Sequence, residues 1–159
     1  MTQDISTIIV AALTAERNSL LAFVGLLERE QTALVENNTD LLLELAEQKS
    51  AHALALSELV ATRHQLLKSN LPELSAETIT AWLQAHCSQA LPIWLSIRKS
   101  GEKARQLNQS SGELIQMKLR HNQQALMVLN NAVNKANLYG ADGQPNLPNS
   151  GLGRTLGNG

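Results

Sequence analysis

A leucine recurs every seven residues near the start of this sequence, and the repeat limits the possible folds more than any other feature. It occupies Leu13, Leu20, Leu27 and Leu34, and residues 3–37 contain no proline. Seven residues are close to two turns of an α-helix, so these side chains lie along one face and form an apolar seam. The pattern predicts one long helix over residues 3–37 whose seam must be covered by other helices.

Three further helices are predicted from similar repeats and from the residues that interrupt them. A polar stretch from Asn37 to Asp40 ends the first helix, and Thr39 is expected to cap the second. Because so short a break joins two long helices, they should form an antiparallel hairpin. The predicted ranges of the remaining helices are 40–69, 76–86 and 91–138.

Composition supports an entirely helical fold. Aromatic residues make up 3% of the chain, and leucine and alanine supply most of its apolar content, so strand-forming residues are scarce. The predicted fold class is all-α: three long antiparallel helices in an up-down-up, coiled-coil-like bundle, with a short connecting helix and a disordered C-terminal tail. The bundle should span residues 1–138 and the flexible tail residues 139–159, where six of the nine glycines occur.

The last long helix is predicted to place a broad apolar face against both of the other long helices. Ser110 and Glu113 are suitable for a capping box, so a continuous helix and a break near residue 111 both fit the sequence. The apolar stripe of this helix contains Trp94, Ile97, Ala104, Ile115, Leu119, Leu126, Leu129 and Val133.

Two cations, Lys49 and Arg63, lie within the apolar stripe of the second helix. Their stems are expected to cover apolar surface while their charged heads stay in water. Charge is also unequal along the chain: residues 1–88 carry −6 and residues 89–138 carry +5, although the whole chain has a net charge of −1. Either a basic helix packs against acidic ones, or it offers a basic docking face to an acidic partner.

The sequence favours a cytoplasmic protein. Cys87 is the single cysteine, so no internal disulfide can form, as is usual in a reducing compartment. The N-terminus lacks the basic segment and unbroken apolar core of a secretory signal, and no run of eighteen apolar residues occurs. We therefore expect neither a cleaved signal nor stable membrane insertion.

No catalytic, cofactor-binding or metal-binding site is predicted. None of the four histidines has another histidine at i+4, or Glu or Asp three residues before it, which removes the helical zinc and Glu-x-x-His signatures. His86 and Cys87 supply at most two ligands and are expected at a water-exposed helix end. Phosphate-binding loops are absent and the basic residues form no compact arm, so neither a cofactor nor nucleic acid is expected.

Two segments resemble a known family. Residues 107–115, with the sequence LNQSSGELI, are similar to a segment of FlgN-type flagellar export chaperones in which Leu-Asn is followed by a polar pair, Asn-Gly and Leu-Ile. Ser111 stands where that family usually has asparagine. Residues 138–144, with the sequence LYGADGQ, are similar to the Tyr-Gly-x-x-Gly exit from the last helix of those proteins.

This resemblance implies a cytoplasmic chaperone for the hook-filament junction proteins, or hook-associated proteins, of the bacterial flagellum. Members of the family hold the C-terminal helical segments of those proteins, prevent their early self-association and deliver them to the type III export gate. Binding is generally attributed to the C-terminal part of the chaperone. An aromatic residue near its C-terminus is implicated in docking to the gate.

The candidate partner-binding residues lie in the last turns of the final helix. For the three on the apolar stripe, the alternative is a place in the bundle core. Met127 and Leu138 lie beside the stripe, and methionine suits adaptable contact surfaces. Tyr139 either contacts a partner or packs at the helix end. The complete candidate set is Leu126, Met127, Leu129, Val133, Leu138 and Tyr139.

The main alternative to a chaperone is a structural or adaptor coiled-coil protein. In that case the leucine seam of the first helix would join two copies of the chain as a homodimer. A helical bundle that binds a metal or acts as an enzyme is a third interpretation, and the missing ligand spacings argue against it.

Overall fold

Every regular element in the described part of the chain is an α-helix. The computed structural model describes residues 4–139, except the side chains of residues 138 and 139. The helix α4 continues through Gly112, so the continuous alternative for this helix is the observed one. The predicted tail began at Tyr139, which instead ends α4, and its remaining residues, 140–159, lie outside the described residues. The helices are α1 (Ile5–Val35), α2 (Thr39–Lys68), α3 (Ala76–His86) and α4 (Leu91–Tyr139).

The chain divides into two compact units. The N-terminal unit is Met1–Leu114 and contains α1, α2, α3 and the beginning of α4. The C-terminal unit is Ile115–Gly159, and its described part is the remainder of α4.

The break between α1 and α2 differs by one residue from the prediction. Asn38, rather than Thr39, is the N-cap, and its side-chain oxygen accepts a hydrogen bond from the backbone N–H of Leu41. Asn37 takes a left-handed backbone conformation with φ of 56°. Asparagine tolerates this region better than most residues, so the chain turns at Asn37 and the new helix starts one position earlier than expected.

All four helices contribute to the core of the N-terminal unit. The four leucines of the seven-residue repeat are buried, Leu27 completely, at 0% exposure. Burying a leucine contributes roughly 1.5–3 kcal/mol. The repeat is therefore covered by the chain's own helices. The largest cluster of buried residues consists of Ile9, Leu13, Leu20, Val24, Leu27, Leu67, Ile79, Leu83, Cys87, Ala90, Trp94, Ile97 and Ala104.

An ion pair between Arg63 and the buried Glu16 interrupts this apolar core. Nε of Arg63 donates a 2.9 Å hydrogen bond to Oε2 of Glu16, and the two side chains are only 12% and 2% exposed. The guanidinium also lies over the ring of Trp94, 4.8 Å from its centroid. A buried carboxylate on α1 requires a charged partner, so Arg63 has a contact in the core that the sequence did not indicate.

The other cation of the α2 stripe, Lys49, also bridges helices. Its Nζ donates hydrogen bonds to the carboxylate of Glu30 at 3.3 Å and to the side-chain oxygen of Asn108 at 2.9 Å. Since its side chain is partly exposed, this contact is screened more than the pair at Arg63. Lys49 therefore joins α1, α2 and α4 through polar contacts.

The end of α3 also differs from the prediction. Cys87 is buried in the core cluster, whereas a position exposed to water was expected. Its neighbour His86 is exposed and stacks on Trp82, with ring centroids 5.0 Å apart. A chain that turns back into α4 at this point carries the small apolar thiol inward, and the histidine remains on the surface.

By length and composition alone, α1 is apolar enough to cross a membrane. Its best window has a mean hydropathy of 1.4. A core helix of a soluble protein passes the same test, and α1 contains the buried Glu16 bonded to Arg63. Of that window 28% is buried, and a single helix of this kind is weak evidence for a membrane span.

Candidate partner-binding site

The helix α4 has two parts that differ in burial although its apolar periodicity continues. In the N-terminal unit, its residues Trp94, Ile97 and Ala104 are buried in the core. Ser111 is its last buried residue within the described range, and residues 119–137 are all exposed. The candidate site is therefore the part of α4 in the C-terminal unit.

The lengths of the helices bear on the two alternatives that the sequence left open for this part, a partner-binding surface and a place in the bundle core. α4 has 49 residues, whereas α1 and α2 have 31 and 30. At ~1.5 Å per residue, α4 is about 27 Å longer than its longest companion. Helices of that length cannot cover all of α4. The predicted helix ranges already indicated this difference in length, whereas the apolar periodicity of α4 did not.

The exposed apolar residues of this part lie mainly on one stripe. The large apolar residues between Ile115 and Val133 are 44–70% exposed. Apolar residues scattered singly are common on protein surfaces, but a continuous stripe is typical of an interaction site. The stripe is formed by Ile115, Leu119, Leu126, Leu129 and Val133, and further exposed apolar residues are Met117, Met127 and Val128.

Four of the six candidate residues have described side chains. Leu126, Leu129 and Val133 lie on the exposed stripe. Met127 is exposed about 100° around the helix from Leu126. Leu138 and Tyr139 belong to the last turn of α4, and their side chains lie outside the described residues.

Sequence reasoning missed other residues of the same surface. Ile115 and Leu119 were assigned to the face that contacts the bundle, and Asn122 was not considered as a binding residue. Asn122, Ala125, Leu126 and Leu129 line an open depression. The signal that places Asn122 there is its spacing of three or four residues from Leu119 and Leu126.

The electrostatics of this part are simple. Residues 114–139 contain Lys118, Arg120 and Lys135 and neither Asp nor Glu. In the N-terminal unit, the hydrogen bond from the Arg105 side chain lowers the pKa of Glu102, and the same contact raises the pKa of Arg105. Within residues 4–139, no three His, Cys, Asp or Glu side chains are grouped as metal ligands would be. An exposed apolar stripe on a helix with a net positive charge is suited to holding another protein segment.

The fold and this surface define a class: an all-helical protein with a helix face for another protein. The model of the family described as FlgN protein matches residues 1–146, so the chain belongs to the FlgN family. The matched range includes both segments on which the resemblance rested.

Family membership makes the chain a FlgN-type flagellar export chaperone. FlgN is a family of chaperones for flagellar proteins, not of enzymes, and its members are soluble cytoplasmic proteins. Comparison with curated proteins found no match, and comparison with solved structures found none.

Proposed function

We propose that this chaperone acts in the cytoplasm on hook-associated proteins, the hook-filament junction proteins of the flagellum. It would hold their C-terminal helical segments, prevent their early self-association and deliver them to the export gate. The observation that carries the proposal is the exposed apolar stripe of α4 in a member of the FlgN family. An amphipathic cargo helix buries its own apolar face against such a stripe.

The three long helices form, in this proposal, an up-down-up bundle that supports the site. Contacts in the N-terminal unit favour it, because the paired residues follow opposite orders in neighbouring helices. Glu16 and Glu30 of α1 contact Arg63 and Lys49 of α2, respectively. Along α2 and α4, the same two cations contact Trp94 and Asn108 in reverse order. Antiparallel packing of successive long helices produces this order.

The proposed cargo contacts are Leu126, Met127, Leu129, Val133 and Leu138. These positions are exposed wherever their side chains are described, so cargo can reach them without opening the core. Tyr139 and the following residues, 140–159, would dock to the export gate or fold onto the cargo. A segment that becomes ordered only on binding gives lower affinity for a given contact area, which suits a carrier that must release its cargo.

Paired substitutions on two sides of α4 test the site. The double variant Leu126→Ser with Leu129→Ser removes apolar area from the stripe. The matched control, Gln124→Ser with Asn131→Ser, changes exposed residues on the opposite side of the same helix. Titration calorimetry with a purified hook-associated protein should show at least tenfold weaker binding for the first variant only. Equal binding by both variants would place the site elsewhere.

Truncation gives an independent test of the same region. A chain that lacks residues 126–159 should no longer capture hook-associated proteins from a lysate of the source cells. Its circular dichroism should still show a helical N-terminal unit, because no buried core residue is removed. Normal capture by the truncated chain would refute the proposed location.

The self-associating adaptor is less well supported. The leucine repeat that suggested a homodimer is buried against the chain's own helices, so it cannot join two copies in this conformation. Sedimentation analysis over a hundredfold concentration range separates the two proposals. We expect a monomer, and a dimer at every concentration would favour the adaptor.

A further inference from the structure

The exposed stripe of α4 has the spacing of a coiled-coil seam. Steps of four and three residues alternate without error from Ile115 to Ala136. This alternation is a heptad repeat, which brings one side chain to the same helix face every 3.5 residues. We refer to these positions as the exposed seam: Ile115, Leu119, Asn122, Leu126, Leu129, Val133 and Ala136.

Asn122 is the polar residue within the exposed seam. It is exposed, and it lines the depression together with Ala125, Leu126 and Leu129. When a helix covers such a seam, an asparagine there is removed from water and needs a hydrogen-bond partner across the interface. Burying the asparagine lowers the stability of the helix pair, but it favours the one alignment of the two helices in which that partner is present.

The two borders of the exposed seam are uncharged apart from Lys118. Ala125 and Ala132 follow one another at a spacing of seven on one border, and small side chains allow a partner helix to approach closely. The other border repeats amides at the same spacing. It consists of Gln116, Gln123, Asn130 and Asn137. Charge pairing along these borders, which sets register in many coiled coils, is therefore nearly absent.

Charge further selects the occupant of the exposed seam. Residues 114–139 carry three cations and no anion. Two copies of this segment would each carry three cations and no anion, so their net charges repel. Arg120 and Lys135 are exposed on the outer half of the helix, so this segment attracts a helix that carries acidic residues by its net charge rather than by direct contact at the seam.

We propose that the exposed seam accepts a single acidic amphipathic helix of the cargo protein, and that Asn122 fixes its register by hydrogen bonding to a polar side chain of that helix. This inference rests on the proposed function. It adds the chemistry of the bound segment and a residue that determines specificity.

Distance measurements by electron spin resonance test the role of Asn122. One nitroxide is placed on the outer face of α4 by Gln124→Cys in a Cys87→Ala background, whose helicity is verified by circular dichroism. A second nitroxide is placed on one cysteine in the C-terminal segment of a purified hook-associated protein. The complex with Asn122 should give one distance, because only one register is allowed.

The variant Asn122→Leu should bind at least as tightly but should give additional distances. They should be separated by about 10 Å, the rise of one heptad at ~1.5 Å per residue. Asn131→Leu makes the same chemical change on the opposite face and should preserve the single distance. A single unchanged distance in Asn122→Leu, or binding more than about tenfold weaker, would overturn the role of Asn122. Failure of the parent chain to bind would instead reject the proposed function.

Charge reversal tests the acidic character of the occupant. Arg120→Glu combined with Lys135→Glu should weaken binding of the same protein about fivefold or more at low salt, and less in 0.5 M NaCl. Lys99→Glu, an exposed reversal in the N-terminal unit, is the control and should have no effect. Unchanged or tighter binding by the double reversal would contradict an acidic partner helix.

Discussion

The two parts of α4 share one apolar periodicity but have opposite surroundings. Trp94 and Ile97 are buried by residues of the other helices, while Leu126 and Leu129, with the same helical spacing, are more than half exposed. Periodicity shows that a helix face requires a cover, but it does not identify the cover. In the N-terminal unit the chain covers itself, and in the C-terminal unit we propose that the cargo does so.

The largest expected effect concerns the buried ion pair of the N-terminal unit. Arg63→Ala removes the partner of Glu16, whose side chain is 2% exposed. An uncompensated buried carboxylate should lower the free energy of unfolding by about 3–5 kcal/mol. Chemical denaturation monitored by circular dichroism measures the change. The control Lys99→Ala, at an exposed cation, should stay within about 0.5 kcal/mol of the parent chain. If the two variants were equally stable, the ion pair would not matter to the fold.

Equivalent leucine truncations in the two units sharpen the comparison. Leu27→Ala creates a cavity in the core and should cost about 2–5 kcal/mol of stability. Leu126→Ala should change stability by less than about 0.5 kcal/mol, because the side chain already contacts water. Denaturation and titration with hook-associated protein, performed on both variants, should show stability lost in the first and binding lost in the second. A large loss of stability for Leu126→Ala would mean that its face is covered within the chain.

A smaller, favourable effect is expected where α4 passes from buried to exposed. The hydroxyl oxygen of Ser111 is buried and has no hydrogen-bond partner among the described residues. Ser111→Ala removes this unsatisfied group and adds helix propensity, so stability should rise by about 0.5–1.5 kcal/mol. Ser110→Ala, on the less buried neighbouring position, gains only the propensity. If thermal melts showed Ser111→Ala to be less stable than Ser110→Ala, the hydroxyl of Ser111 would have a hydrogen-bond partner in solution.

The smallest effect concerns the exposed pair Glu102 and Arg105. The hydrogen bond from the Arg105 side chain lowers the pKa of the Glu102 carboxyl below its ordinary value in the folded chain. The stability from this contact is present above the ordinary pKa of a glutamate and is lost as pH falls through the lowered value. NMR titration of Arg105→Gln should show the pKa of Glu102 moving upward. No movement would mean that the contact does not persist in solution.

Much of the fold was predictable because it depends on local spacing. The leucine repeat indicated α1, and the interruptions near Asn37 and Pro92 indicated the limits of neighbouring helices to within a few residues. The cap of α2 was misplaced by one residue, since Asn38 and Thr39 are both good caps and the left-handed conformation of Asn37 decides between them.

Part of the candidate site was also predictable, but not its extent. Leu126, Met127, Leu129 and Val133 were named from the sequence, and the structure places all four on the surface of one helix. Ile115 and Leu119 were assigned to the core, because their spacing continues that of Trp94 and Ile97. Whether a given residue of such a stripe is covered depends on the lengths of the other helices, which are non-local information.

By itself, the sequence determined that the described chain is helical, where its helices begin and end to within a few residues, and which helix faces are apolar. Those properties follow from hydrogen bonding and side-chain spacing between near neighbours. Only the tertiary structure decided that Arg63 pairs with the buried Glu16 and lies over Trp94, and that the apolar stripe of α4 is exposed beyond Ser111. Both outcomes depend on which distant segments meet, and the energy of a charge or an apolar side chain is set by what lies opposite it.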